Sequence, residues 1–375
     1  MAYLISETCE ELLYDVKRFC EIEVYGKNKD WDKAGELPWE TREIFCAQGY
    51  QMLTLPEELG GLGLDSVDTA AILEEIAKAE ASLAVTLAGS NLALRAVLAG
   101  GNETAIERVC EILTAGGLGA FCLTEASAGS DAMSMKTKAV KNEDGSWVIT
   151  GTKQFITNGG SADFYVVAAI AEETGKPGLF LLEKDAEGLQ PGVQEDKFGI
   201  RCCDTCEVNF NSCIASADAF VGGAEAILAA LNEGRALMAA MAAGVAQRAM
   251  EEAIAYGKER SQFGRAITDN QSVRFRLADM DTKIEAARQL TAHALHKMDE
   301  GLDFSREAAM AKAFAADTAA EAAGSAMELF GGCGYMTSYP AEKLLRDARV
   351  FQIIEGTREM QQTLIADALL GKNRG

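Results

Sequence analysis

No proline occurs between Pro191 and Pro340, and that gap constrains the fold of this chain more than any other feature. Inside a helix, proline removes a backbone donor and its ring clashes with the preceding turn. A long stretch without it, rich in Ala, Leu, Met and Glu, therefore reads as mostly helix. Three long patterns fill most of it: Ala224 to Arg260, Ser272 to Glu300, and Ser305 to Phe330. In the second, Val273, Leu277, Met280, Ile284, Ala287 and Leu295 form one apolar stripe. A fourth helix is predicted from Thr357 or Arg358 to Leu370, with Met360, Leu364, Ile365 and Ala368 inward and Gly371 ending it. Long antiparallel helices on short connections make a four-helix bundle.

Upstream the pattern differs. Residues 1–117 also read as helical, with Leu4, Ile5, Leu12, Leu13, Val16, Phe19 and Cys20 at helical spacing behind a Ser6 or Thr8 cap. A break from Gly26 to Pro38 precedes a helix from Trp39 to Tyr50; one or two more cover Val67 to Leu98, and another Glu103 to Leu113. From residue 118 the runs shorten to strand length. Gly119–Leu123, Phe164–Ile170, Leu179–Glu183 and Cys206–Phe210 are strands, and Asn142-Glu143-Asp144-Gly145 joins Lys138–Val140 to Trp147–Thr150 as a hairpin. The predicted class is mainly α with a central β domain: a helical domain over 1–117, a β-barrel-like domain over 118–223, and a four-helix bundle over 224–375.

The chain has 375 residues, 48% of them hydrophobic, which suits two or three domains with ample core. With 35 Lys and Arg against 57 Asp and Glu, the net charge is -22. Such a surface repels nucleic acid and anionic membranes, so neither is an expected partner. A local Arg or helix N-terminus still holds a phosphate. The opening MAYLISETCEELLYDV lacks a basic leader before an apolar core, so no signal peptide is expected. No run of about 18 apolar residues argues for a membrane span. Ten scattered cysteines then read as free thiols in a reducing cytoplasm. Cys203 and Cys206 form a C-x-x-C beside Cys202, but a zinc site wants a second pair and only Cys213 is near, so no metal is expected. His293 and His296 read as helix surface.

Neither a G-x-G-x-x-G nor a P-loop is present, and Gly331-Gly332-Cys333-Gly334 follows a helix rather than a strand. Two small polar loops, Thr124 to Asp131 and Thr157 to Gly160, offer backbone N–H groups and hydroxyls to a phosphate or flat ring, or are ordinary turns. Near the C-terminus Glu355 ends the apolar run Val350, Phe351, Ile353, Ile354 and precedes Gly356-Thr357. A carboxylate there is either a solvated helix-boundary residue, the commoner case, or a desolvated base with a raised pKa.

Together these segments resemble the acyl-CoA dehydrogenase family over nearly the full length. The carrying motifs are Leu123-Thr124-Glu125 through Gly129-Ser130-Asp131, and Gly151-Thr152-Lys153 through Ile156-Thr157-Asn158-Gly159. They continue with Tyr256 through Glu259-Arg260 to Gln262-Phe263-Gly264 and Gln271. The last runs from Phe330-Gly331-Gly332 through Gly334-Tyr335 and Arg346-Asp347-Ala348 to Glu355-Gly356-Thr357. The resemblance implies non-covalent FAD, an acyl-CoA substrate, a homotetramer built as a dimer of dimers, and an electron-transferring flavoprotein as redox partner. It implies that Leu123, Thr124 and Ser130 lie along the flavin and its phosphates, and that Phe155 and Thr157 line the ring. Arg260, Gln262, Phe263 and Gln271 match the segment that reaches the FAD of a neighbouring subunit. Gly331 and Gly332 face the adenosine end, with Thr357 near the phosphates. Ser130, Arg235, Glu355 and Gly356 match substrate-contacting positions, Arg235 meeting the CoA portion. The implied reaction removes the α-proton of an acyl-CoA while the β-hydride goes to flavin N5, giving the trans-2-enoyl-CoA, or runs in reverse. Glu355 matches the base of most members; the rival position, just before Arg235, is Gly234 here, which cannot be a base.

Three departures stand out: Ala126 replaces a common proline, Glu328 a common Gln, and Arg358 a small residue. Arg358 either pairs with FAD phosphate or lies on the helix surface. The set is most similar to short-chain, butyryl-type members. A decarboxylating or group-eliminating relative, and a non-catalytic FAD- or acyl-CoA-binding scaffold, are the alternatives.

Overall fold

The structure, a computed structural model, describes residues 3–372; residues 1–2 and 373–375, at the outer ends of the first and last predicted domains, lie outside the described residues. The first helix, α1 (Glu7–Phe19), starts where Ser6 accepts a hydrogen bond from the Cys9 N–H at 3.1 Å, so the predicted cap is used. A short α2 (Asn28–Ala34) fills part of the expected break, because Trp31 is buried and Gly35 at φ 73° closes the turn after it. α3 (Trp39–Ala47) follows. The Ala-rich stretch divides into α4 (Ser66–Ala79) and α5 (Ala81–Gly100) at Glu80, which is extended and caps α5 by accepting from the Ser82 N–H at 3.0 Å. α6 (Glu103–Thr114) is capped by Asn102.

The middle region holds β1 (Gly119–Cys122), β2 (Lys138–Lys141), β3 (Trp147–Thr157), β4 (Phe164–Ala171) and β5 (Lys176–Glu183). β6 (Leu189–Pro191), β7 (Thr205–Ala215) and β8 (Phe220–Gly223) complete it. The sheet runs β6-β7-β3-β2-β4-β5-β8, with β1 parallel to β4 beside it. Its hydrogen-bonding path stays open at β6 and β8. β4 explains the layering. Phe164, Val166 and Ala168 pack with α5 and α6, while Tyr165, Val167 and Ala169 join Trp147, Phe180 and Phe210 on the opposite face. A strand buried on both faces reads as a continuous apolar run, as this one does.

The bundle consists of α7 (Ala224–Glu259), α8 (Gln271–Asp299), α9 (Ser305–Phe330) and α11 (Arg358–Leu369), with an additional α10 (Ala341–Val350). Between α7 and α8 a small hairpin, β9 (Ser261–Gln262) and β10 (Arg265–Ala266), projects Phe263 at its tip. α7 packs against α4, α5, α8 and α9, so nearly every face is buried and its apolar residues form no single stripe. By length and hydropathy both α5 and α7 would pass for membrane spans; here they are core helices, with 72% and 67% of their most apolar windows buried. α10 is tied down by a buried ionic cluster. Lys343 lies 2.8 Å from Glu80 and 2.6 Å from Asp347, and Arg346 lies 2.6 Å from Asp32.

Candidate active site

α5, α7, the two polar loops of the sheet and the turn before α11 enclose a cavity of about 560 Å³. Glu355 enters it from that turn. The residue is half-buried, but its Oε2 is closed off from solvent and has no hydrogen-bond partner. Its backbone sits at φ 53°, the left-handed region that costs a non-glycine residue on the order of 1–3 kcal/mol. Gly356 follows at φ 93° and tolerates that conformation, and a Cβ there would come within 2.7 Å of Gln361 Nε2.

Two buried donors hold this turn from beneath. Gln361, fully buried on α11, donates its Nε2 to the carbonyl oxygens of Glu355 at 2.9 Å and Gly356 at 3.0 Å. Lys312, 1% exposed on α9, donates to the Gly356 carbonyl at 2.6 Å. Thr357 caps α11 by accepting from the Met360 N–H. The strained geometry is thus over-determined by its surroundings.

Burial raises the Glu355 carboxyl above its ordinary value, while the nearby charges of Arg235 and Lys312 pull against that rise. Burial also lowers Lys312 to about 8, with Glu355 opposing and Arg235 adding to the shift. Arg235 is itself lowered by burial; it donates to Asn232 Oδ1, and its Nε is buried without a partner. A Cβ on Gly234 would lie 3.1 Å from Glu355 Oε2, so the rival position faces the same spot and leaves it to Glu355.

The sheet side of the cavity is held by a second buried device. Lys153, fully buried on β3, donates to Glu125 Oε1 at 2.8 Å and to the Leu123 carbonyl at 2.9 Å. Glu125 also accepts from the Thr137 hydroxyl at 2.7 Å and from the N–H groups of Lys136 at 2.7 Å and Thr137 at 3.0 Å. Burial alone would raise the Glu125 carboxyl, but hydrogen bonds from Lys153, Thr137 and Lys136 bring it down to about 2. These two motif residues shape the first loop rather than meet a ligand. Phe155 sits at φ 58° beside a register shift in β3, an exposed residue that lines the cavity. Asn158, at φ 61°, donates its buried amide to the carbonyls of Thr86 at 2.9 Å and Gly119 at 3.0 Å, locking the second loop to α5 and β1.

Of the residues expected from sequence, Leu123, Thr124, Ser130, Phe155, Thr157, Arg235, Glu355, Gly356 and Thr357 all line this cavity. Arg260, Gln262, Phe263, Gln271, Gly331 and Gly332 do not; they are exposed at the opposite end of the bundle. The path along α7 from Arg235 to Arg260 is about 37 Å at the helical rise. Arg358 pairs with Asp317 at 2.9 Å and Glu328 with Arg276 at 2.7 Å, so both departures are engaged in surface ion pairs. His293 and His296 are exposed on α8. Lys312 and Gln361 carry no signal in the sequence, and Asn158 reads there only as part of the second polar loop and its motif. Lys312 lies in an Ala-rich helix pattern where a lysine normally marks the solvent face, and only its burial distinguishes it.

A flat aromatic ligand with a phosphate-bearing tail fits this donor set. Phe155 offers a ring face; Thr124, Ser130 and Thr157 offer hydroxyls; and Gly129 faces open space.

Models of the acyl-CoA dehydrogenase N-terminal, middle and C-terminal domains match residues 6–117, 120–213 and 222–370. A Megasphaera elsdenii protein described as a short-chain-specific acyl-CoA dehydrogenase is 40% identical over 382 residues, covering 99% of this chain and 100% of that one. A chain solved in work on the electron-transferring flavoprotein of Acidaminococcus fermentans and flavin-based electron bifurcation superposes with TM-score 0.94 at 36% identity, covering 99% of this chain and 100% of that one. A glutaryl-CoA dehydrogenase from Mycobacterium smegmatis in complex with FADH2 superposes with TM-score 0.92 at 25% identity, covering 98% of this chain and 96% of that chain.

Proposed function

The chain belongs to the acyl-CoA dehydrogenase family, and from that premise we propose that it catalyses α,β-dehydrogenation of a short-chain acyl-CoA to the trans-2-enoyl-CoA, or the reverse. The observation that carries this reading is the closed-off, unpartnered Oε2 of Glu355 in a cavity flanked by both polar loops. A carboxylate deprived of water and of hydrogen-bond donors is a stronger base than one in solution. Glu355 takes the α-proton. The left-handed turn aims it, and Lys312 and Gln361 keep that aim by holding the carbonyls behind it. Arg235 and Lys312 keep enough of the carboxyl ionised for it to act.

FAD, when bound, supplies the hydride acceptor and a flat surface against the substrate. Phe155, Thr157, Thr124 and Ser130 are the residues that hold it on this chain. Arg260, Gln262, Phe263, Gln271, Gly331 and Gly332 sit too far along the bundle to serve the same cavity. Their exposure supports a role toward a neighbouring copy, and with it a tetramer. Phe263 is 100% exposed at the hairpin tip, a costly placement for a ring unless a partner covers it. Electrons leave to an electron-transferring flavoprotein, a reading supported by the Acidaminococcus likeness. Ten unpaired cysteines, nine of them buried, support a reducing, cytoplasmic setting.

The test is anaerobic bleaching of the purified yellow protein by a panel of acyl-CoAs. Glu355→Gln should retain flavin and lose bleaching by about 10³-fold or more. Undiminished bleaching would remove Glu355 as the base.

A further inference from the structure

α5 and α7 form the long walls of the cavity, and their contacts fix its axis. Gly100, at the end of α5, packs against Gly222 just before α7, where a Cβ would lie 2.9 Å from the Gly100 Cα. Further along α7, a Cβ on Gly234 would lie 3.1 Å from Leu92 Cδ1 and 3.1 Å from Glu355 Oε2. Residue numbers therefore fall along α5 as they rise along α7, and Leu92, Gly234 and the base share one level.

The cavity differs on the two sides of that level. On one side, Leu123 and Ala132 pack with Ala93 to Val97 of α5 and with Ala230 of α7, and the Gly129 and Ser130 between them are exposed. Arg95, on the same side, is partly exposed too. On the other side, Val85 and Ala88 of α5, Leu237 and Met238 of α7, and Ile200 are all buried, in one cluster with Val350 and Ile354. Lys197 lines the cavity as well, with its Nζ donating to the Cys203 carbonyl at 2.7 Å. The cavity stops there along both helices. Met241 and Ala242 in the next turn of α7, and Ala81 and Ser82 in the preceding turn of α5, are buried and do not line it. A CoA thioester carries its charge on the nucleotide, which stays in water, while its acyl tail gains by leaving water. The CoA therefore leaves by the open side, and the tail points to the closed, apolar end.

Met238 stands four residues after Gly234, on the same face of α7 and about 6 Å past the base at the helical rise. A helical Met projects back toward the N-terminus of its own helix, here toward Gly234. Across from it α5 presents only Ala88 and Gly89, and a Cβ on Gly89 would meet Thr157 Cγ2 at 2.6 Å. The depth at this level is thus left to α7, where Leu237 stands beside Met238. We propose that Met238 sets the acyl length this enzyme accepts, stopping a linear tail about four carbons past the α-carbon. With carbon–carbon bonds of about 1.5 Å an extended chain advances about 1.3 Å per carbon, so a hexanoyl group fills the space. This rests on the dehydrogenase reading and names the substrate class within it: linear acyl groups of about four to six carbons. Without the Met238 side chain the next stop is Val85, two turns from Leu92 and about 10 Å past the base, which admits an octanoyl tail.

The test measures kcat/KM for butanoyl-, hexanoyl- and octanoyl-CoA on the flavin-loaded enzyme. The parent should disfavour octanoyl-CoA against butanoyl-CoA by about tenfold or more, since one methylene in a closed apolar pocket is worth at least about that. Met238→Ala should raise the octanoyl-to-butanoyl ratio by about tenfold or more, mainly through KM. Met238→Phe should lower the hexanoyl-to-butanoyl ratio, and it reads the same site if M238A does not fold. Met241→Ala removes a similar buried side chain one turn on, outside the cavity, and should leave both ratios unchanged. A parent that takes octanoyl-CoA as well as butanoyl-CoA overturns the inference and leaves the dehydrogenase reading intact. So do ratios that stay put in the folded Met238 variants, or that move equally in M241A. No bleaching by any acyl-CoA overturns the dehydrogenase reading, and this inference with it.

Discussion

On the proposed reading, Glu355 acts through its neighbours more than through its own chemistry. Its carboxyl is raised by burial and held in check by two cations, so the fraction ionised at a given pH depends on Arg235 and Lys312. Removing Lys312 as Lys312→Met deletes one of those cations and the 2.6 Å bond to the Gly356 carbonyl. The sign follows: the Glu355 carboxyl rises further, and the acid limb of the kcat profile moves to higher pH, by about one unit. A fall of about tenfold in kcat at pH 7, with KM little changed, is expected from the looser turn. An unshifted acid limb in folded K312M would show that Lys312 only packs. The motif around Glu355 was legible from the sequence; the lysine beneath it was not, because nothing local separates a buried lysine of α9 from a solvated one.

At the scale of elements, the two polar loops keep their shape because buried side chains tie them to regular structure. Lys153 on β3 holds Glu125 and the Leu123 carbonyl, and Asn158 holds α5 and β1. Lys153→Met leaves Glu125 buried with its countercharge gone, and a loss of about 3–5 kcal/mol is expected from a broken buried pair. Thermal unfolding together with flavin release should report both effects, the cofactor leaving at a lower temperature than in the parent. Acid acts on the same device. The Glu125 carboxyl is held near 2 in the fold against an ordinary 4.5, so its stabilisation is complete above about 4.5 and is lost as pH falls toward 2. Glu125→Gln should therefore flatten the acid side of the stability profile over that window. α10 and α2 are not legible in the sequence for a related reason. Their anchors, Lys343 to Glu80 and Arg346 to Asp32, join residues hundreds of positions apart, which local periodicity does not register.

At the scale of the whole molecule, the chain presents two ends. One holds the cavity; the other, about 37 Å along α7, carries Arg260, Gln262, Phe263, Gly331 and Gly332 on its surface. On the proposed reading the second end completes the cofactor site of another copy. Phe263→Ser should then lower flavin retention by about tenfold and yield a smaller particle in sedimentation, with residues around Glu355 untouched. A parent protein that is a monomer with full flavin would refute the exchange.

The helical, β, helical order, the long bundle helices and the candidate base Glu355 are legible in the sequence. These follow from proline placement, hydrophobic period and short motifs, all properties of neighbouring residues. Which polar side chains are buried depends on packing between distant segments: Lys312 and Gln361 under the turn, and Lys153 with Glu125 under the loop. Burial is a property of what packs around a residue from distant parts of the chain, and it is burial that turns an ordinary lysine, asparagine or glutamate into part of a site.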